Sequence, residues 1–425
     1  MTPEDWKIGQ LGELCSIEIG GTPSRNNLAY WDAGKTTDNY WVSIKDLSQR
    51  IVVTTDEKIS DLGVRNSNVK LQSAGTVLLS FKLTIGRVAY AGVDLYTNEA
   101  IAGLRSEALD PDFLFHGLQS WDLLQGVDQA IKGATLNKAK LKEIAFAYPE
   151  AKKEQIQIAA ILSTIDKAIE QTEAIIAKQQ RIKTGLMQDL LTRGIDEHGN
   201  LRSEDTHAFK DSPLGRIPME WDVSIINECV QADAPICYGI LMPGAFYDGG
   251  VPVIKVKNVF DGRVSTDDLL LTSPAIDRLY KRSRLKSGDL LLTIRGTTGR
   301  VALVPAELDG ANITQDTARI RLVERHSSRY FYHLLQAFYV QDQIALHTLG
   351  QAVKGINIGE IKKIQIKIPG KHEQDLIAKQ LDELYDAYNS TLQQLAKLRR
   401  QKTALMQDLL TGKVRVTALL EASGA

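Results

Sequence analysis

A chain of 425 residues, 43% of them hydrophobic and with a formal net charge of −1, has room for two or three globular domains. Its composition excludes a disordered polymer and a chain that coats nucleic acid through bulk basicity. No apolar run nears the roughly 18 residues of a membrane span, and the opening Met-Thr-Pro-Glu-Asp-Trp lacks the blocks of a signal peptide, so a cytoplasmic protein without a membrane partner is expected.

The phrase Pro3-Glu-Asp-Trp6 near the start returns as Pro218-Met-Glu-Trp221, which places the start of a second globular unit near residue 207. In the first unit, residues 1–150, short strands are expected at 40–47, 76–81 and 87–90. In the second, residues 207–369, they are expected at 251–259, 289–294 and 300–304. β-Branched and aromatic runs broken by Gly-rich turns predict β-rich domains, with helices at 111–125 and 327–343. The first unit has 15 Lys+Arg against 19 Asp+Glu and the second 20 against 17, so any DNA binding must rest on local patches or on a basic partner. Cys15, Cys229 and Cys237 form no Cys-x-x-Cys, which suits a reducing compartment and supplies no thiolate metal cage.

Each unit is followed by a long helical segment, and the two segments end alike. Arg181-Ile-Lys-Thr-Gly-Leu-Met-Gln-Asp-Leu-Leu-Thr192 returns as Arg400-Gln-Lys-Thr-Ala-Leu-Met-Gln-Asp-Leu-Leu-Thr411. Apolar or small residues recur by alternating fours and threes at Ile158, Leu162, Ile165, Ile169, Thr172, Ile176, Leu186 and Leu190, apart from polar Gln179 and Lys183 in the same register. The second set is Ile377, Leu381, Leu384, Tyr388, Thr391, Leu395, Leu398, Leu405 and Leu409. A seam of this period wants a partner helix, and the economical partner is the other copy. The alternative is that each helix packs only on its own domain. Between the first helix and the second unit, Gly194-Ile-Asp-Glu-His-Gly-Asn200 reads as a loop.

The units also match internally. Ala74-Gly-Thr-Val-Leu-Leu-Ser80-Phe-Lys82-Leu-Thr84-Ile-Gly-Arg87-Val-Ala89 aligns without a gap on Ser287-Gly-Asp-Leu-Leu-Leu-Thr293-Ile-Arg295-Gly-Thr297-Thr-Gly-Arg300-Val-Ala302. Strand alternation would put Ser80, Lys82 and Thr84 on one face, and Thr293, Arg295 and Thr297 on its twin. Each face then offers a cation flanked by hydroxyls beside a Gly-Arg turn. An ordinary exposed sheet face would look the same in one copy, but the repetition favours a binding role. Ile44-Lys45-Asp46-Leu47 and Val256-Lys257-Asn258-Val259 add cations, and Asn258 a side-chain amide, of the kinds that contact phosphates and base edges. Little aligns between the loops 19–27, with Thr22, Ser24 and Arg25, and 236–244, with Tyr238. Divergent loops on a shared scaffold suggest one task performed on two targets.

The pattern of β-rich domain, helix ending Leu-Met-Gln-Asp-Leu-Leu-Thr, restart through Phe209-Lys-Asp-Ser-Pro-Leu-Gly-Arg-Ile-Pro-x-x-Trp221, second domain and second helix resembles the DNA specificity subunits of type I restriction-modification systems. The resemblance covers essentially the whole chain. It implies an α+β architecture of two β-rich target recognition domains, 1–150 and 207–369, separated by two long helices that form an antiparallel coiled coil with pseudo-two-fold symmetry. The helical spacers would occupy 151–206, with its linker, and 370–425. It further implies a subunit that reads a split site in double-stranded DNA and docks two methyltransferase subunits and restriction-translocase subunits. S-adenosylmethionine, ATP and Mg²⁺ are expected in those partners and not in this chain.

Independent catalysis has little support in the residues. There is no Pro-Pro for an adenine methyltransferase motif, no His-Glu-x-x-His and no Gly-x-Ser-x-Gly. A nuclease carboxylate set would have to draw on Asp112, Glu150 and Lys152, with an over-long gap. The competing reading is a coiled-coil adaptor whose β domains bind protein.

Overall fold

The computed structural model describes residues 3, 5–120, 136–350 and 354–422, so the end of the helix expected at 111–125 lies outside the described residues. The chain divides into two compact units, Met1–Ala174 with Gln393–Ala425, and Ile175–Leu392. Both units are built on one plan.

Each globular domain is closed by its own first and last strands. Trp6–Gln10 pairs antiparallel with Ala145–Pro149, and Asp222–Ile225 pairs in the same way with Gln365–Ile368. The chain therefore leaves each domain where it entered, and a long helix begins at once: Lys152–Leu190 after the first, Lys371–Leu409 after the second. Each has 39 residues, about 58 Å at 1.5 Å per residue.

None of the seam residues on these helices is exposed. The first unit's core takes Ile158, Ala159 and Leu162 from the start of the first helix and Leu409 and Leu410 from the end of the second. The second unit's core takes Leu190 and Leu191 from the end of the first helix and Ile377, Ala378 and Leu381 from the start of the second. In both units the helices thus run antiparallel. Polar pairs flank the seam: Lys402 Nζ lies 2.7 Å from Asp166, Arg399 Nη2 lies 2.7 Å from Glu173, and Lys183 Nζ sits 3.5 Å from the Tyr385 ring centroid. The helices pair as the seam predicts, and the alternative that each packs only on its own domain fails, because the end of each helix enters the core of the other unit.

A duplicated clasp fixes each helix start. Glu373 accepts Arg202 Nη1 at 2.5 Å, Trp221 Nε1 at 3.1 Å and the Ile195 amide at 3.0 Å. Its counterpart Glu154 accepts Arg415 Nε at 2.7 Å and Nη2 at 2.9 Å. Each glutamate lies at the head of one helix, and its arginine follows the tail of the other. The neighbouring glutamines match too. Gln155 Nε2 donates to Pro149 O and Gln374 Nε2 to Pro369 O, each at 2.9 Å.

The main sheet of the first unit orders Ser16–Ile19, Ile101–Arg105, Val77–Ser80, Val88–Ala91 and Ile51–Val52; that of the second orders Cys237–Tyr238, Thr317–Ile320, Leu290–Thr293 and Val301–Leu303. The central strands are covered on both faces. Val77, Leu79 and Phe81 face the core shared with the helices, while Leu78 faces a separate core with Val42, Leu95 and Ile101. A near-continuous apolar run is the signature of such a strand.

Two expected strands are shorter than their apolar runs. Of 40–47 only Tyr40–Val42 is extended, and of 251–259 only Val251–Ile254 is, before the separate Val259–Phe260 strand. Ile44–Ser48 and Val256–Asn258 are 3₁₀ turns. The cause is side-chain bonding to the local backbone, which competes with a sheet ladder: Asp46 Oδ2 accepts the Ser43 amide at 2.8 Å, and Asn258 Oδ1 accepts the Lys255 amide at 3.1 Å.

Candidate nucleic-acid interface

The repeated cation-hydroxyl motif forms the same turn twice. After Val77–Ser80 the chain reverses, with Ser80 Oγ donating to Thr84 O at 2.5 Å and accepting the Arg87 amide at 3.0 Å. After Leu290–Thr293, Thr293 Oγ1 donates to Thr297 O at 2.5 Å and accepts the Arg300 amide at 2.9 Å. Gly86 and Gly299 close the turns at φ +89° and +93°, where a side chain would be strained.

This geometry corrects the expectation for Ser80 and Thr293. Both are fully buried and spent inside the turn, so neither presents a hydroxyl to a ligand. The strand stops at Ser80, so the alternation assumed through residue 84 does not occur. Thr84, Arg87, Arg295, Thr297 and Arg300 are exposed and Lys82 is half-buried. Among the described residues, neither Lys82 nor Arg295 has a carboxylate within ion-pair distance. Arg87 Nη1 donates to Ile44 O at 3.2 Å and Arg300 Nη1 to Val259 O at 3.1 Å, tying each turn to the segment that carries Lys45 or Lys257.

On those segments Asn258 requires a second correction. It is 3% exposed, and its amide is occupied by the Lys255 N–H and by Asp267 O, so it reads no base edge. Lys45 and Lys257 are exposed and hold matching partners, Asp56 at 2.7 Å and Asp268. The lysine bonds hold both carboxyls below their usual range, and Asp56 raises Lys45. Exposed pairs of this kind contribute little, so either lysine can exchange its carboxylate for a phosphate at small cost.

The divergent loops are anchored alike. The Gly21 amide donates to Thr97 O at 2.8 Å and the Gly239 amide to Thr314 O at 3.2 Å. Beyond these anchors the chemistry differs. In the first domain Arg25 lies 3.7 Å from the Trp31 ring centroid and 4.9 Å from that of Trp41, and is hydrogen-bonded twice to Glu57. Thr22 donates to Glu99, and exposed Ser24 offers its carbonyl to Trp31 Nε1 at 3.2 Å. Burial works to raise the Glu99 carboxyl, but the Thr22 bond and the charges of Lys82 and Arg25 bring it below its usual range. Thr22 thus holds Glu99 directly, while Lys82 and Arg25 act on it through their charges without pairing with it. In the second domain Tyr238 is 37% exposed with the Arg282 guanidinium 5.8 Å from its ring centroid, beside a loop that exposes Met242, Phe246 and Tyr247.

Glu99 and Arg282 were missed in the sequence. The signal for the first was a further repeat, Thr97-Asn-Glu-Ala100 against Thr314-Gln-Asp-Thr317. A buried histidine is duplicated as well: His116 and His333 are fully buried, with His333 Nε2 2.8 Å from Asp382 Oδ1 and His116 Nε2 3.1 Å from Ser163 Oγ. The carboxylates considered for a nuclease stand in other bonds, Asp112 with the Tyr90 hydroxyl at 2.5 Å and Glu150 with Lys7 at 2.6 Å. Among the described residues no group of three or more His, Cys, Asp or Glu could hold a metal ion, and no helix is long and apolar enough to cross a membrane.

Comparison with known proteins places this architecture in a class. The chain shares the fold of a type I restriction-modification S subunit from M. genitalium, whose crystal structure superposes with a TM-score of 0.60 at 14% identity over 96% of this chain and 99% of that one. A family model described as "Type I restriction modification DNA specificity domain" matches residues 3–179 and again 246–400, and the chain belongs to that family. It is 24% identical to the putative type I restriction enzyme MjaX specificity subunit of Methanocaldococcus jannaschii, over 97% of this chain and 95% of that protein. It is 26% identical to the EcoBI specificity subunit of Escherichia coli over 71% of this chain, an alignment that spans 65% of that relative.

Proposed function

We propose that this chain selects the DNA sequence on which a type I restriction-modification assembly acts. Each β-rich domain reads one half of a split double-stranded site, with Lys82, Thr84 and Arg87 presented by the first and Arg295, Thr297 and Arg300 by the second. The single observation behind this reading is the twin turn, locked by Ser80 and Thr293, that holds cations outward at the same place in both domains. The family match favours DNA over the protein-binding adaptor.

The chain carries no chemistry of its own in this proposal. Methyl transfer from S-adenosylmethionine and ATP-driven restriction with Mg²⁺ reside in two methyltransferase subunits and in restriction-translocase subunits. Co-expression with methyltransferase subunits and mapping of methylated bases tests the reading: a single bipartite sequence is expected. Methyl transfer by the purified chain with S-adenosylmethionine and no partner would overturn it.

A further inference from the structure

One residue in the first turn carries a cost that its twin avoids. Leu83 has φ +61° and is 88% exposed, and the aligned position in the second domain is Gly296, at φ +74°. Lys35, Asp261 and Asp268 are the other non-glycine residues at positive φ among the described residues, and all three are polar. Asp can offset the left-handed conformation by bonding its own backbone, but leucine has no such compensation. Nor does packing repay the strain, because the side chain stands in solvent. Ser80 locks the turn beneath it, so the leucine is held out on a rigid support between Lys82 and Thr84.

Strain of this kind is retained where a partner uses it. On the proposed reading that this domain binds DNA, on which the inference rests, the neighbouring cations Lys82 and Arg87 draw the turn against the duplex. The apolar group that a major groove offers beside them is the thymine C5-methyl. We infer that Leu83 contacts a thymine methyl in the half-site read by the first domain and so fixes T at one position. The second domain, with Gly296, makes no equivalent contact.

The test uses the assembly with its methyltransferase subunits and duplexes in which each thymine of the first half-site is replaced singly by uracil. Wild type should lose roughly fourfold in affinity at one position, the equivalent of one buried methyl group. Leu83→Gly, which installs the residue of the twin turn, should bind the intact site roughly fourfold more weakly and no longer distinguish thymine from uracil there. Leu83→Asn, also tolerant of positive φ, should behave likewise, and thermal melting should show both variants folded. Uniform tolerance of uracil by wild type, or retained discrimination in both variants, would overturn the inference. So would loss of the methyltransferase subunits from either variant, which would make Leu83 a protein contact. If wild type selects no bipartite site at all, the proposed function fails instead.

Discussion

Arg202 and Glu373 stand 171 positions apart in sequence, yet their side chains meet at 2.5 Å with both nearly removed from solvent. The arginine follows the tail of the first long helix and the glutamate opens the second. Removing one partner of a buried pair leaves the other charge uncompensated, at a cost of about 3 kcal/mol. Arg202→Ala should therefore lower the denaturation midpoint of the second unit strongly, with Glu373 left holding only Trp221 and the Ile195 amide. Lys7→Ala, which breaks an exposed pair with Glu150, should leave the midpoint almost unchanged. Equal effects in chemical denaturation would refute the clasp.

The buried histidines set a pH dependence. Burial holds His333 below its usual range despite the opposing pull of Asp382, with Arg329 and Lys183 adding to the depression. Burial lowers His116 in the same way. An unfolded histidine titrates near 6.5, so on acidification the unfolded chain takes up protons that the folded chain refuses. Stability should fall as pH drops below about 7 through the unfolded value. Melting temperature recorded between pH 7.5 and 5.5 should decline, and His333→Gln should flatten part of that slope. A slope that steepens in the variant would reverse the sign assigned here.

Recognition should be modular. Arg295→Ala should weaken or relax reading of one half-site only, and Lys82→Ala the other, at about 1–3 kcal/mol for a lost base contact. A lost phosphate contact should instead weaken all sequences alike and reduce the salt dependence of binding. Methylation mapping for each variant separates these outcomes, and a change in both half-sites from one substitution would contradict independence.

Ser80 and Thr293 should behave as parts of the scaffold. Thr293→Val removes the hydroxyl that satisfies Thr297 O and the Arg300 amide, at a cost of about 1–3 kcal/mol for groups left unpaired. The loss should appear in the melting curve of the free protein, and sequence preference should change no more than the loosened turn requires. Undiminished stability with lost DNA affinity would restore Thr293 as a direct contact.

Much of this architecture was legible because it is periodic and repeated. The seam from Ile158 to Leu190 and its twin could be read from spacing alone, and Trp6 and Trp221 marked the two domain starts. Contacts that depend on chain reversal were not legible. Ser80, Thr293 and Asn258 have the chemistry of ligand-binding groups, but small polar side chains bond equally well to their own backbone, and only the turn decides between the two. Glu154 and Arg415, 261 positions apart, have no local pattern that could link them. Glu99 was within reach through the Thr97 and Thr314 repeat, which is short and interrupted by substitution.

The second clasp also sets Asp5, just ahead of the first domain, beside Arg415, just past the second long helix, since Arg415 binds it through Nη1 at 2.8 Å and Nη2 at 2.7 Å. A short bridge could join them, and the polar loop at 203–207 could be opened in exchange. The resulting circular permutant would present domain, helix, domain and helix in the same alternation, with each clasp still formed between the tail of one helix and the head of the other. Such a permutant is expected to fold, because the clasps constrain the cyclic order of these four parts and not the point at which the chain is cut.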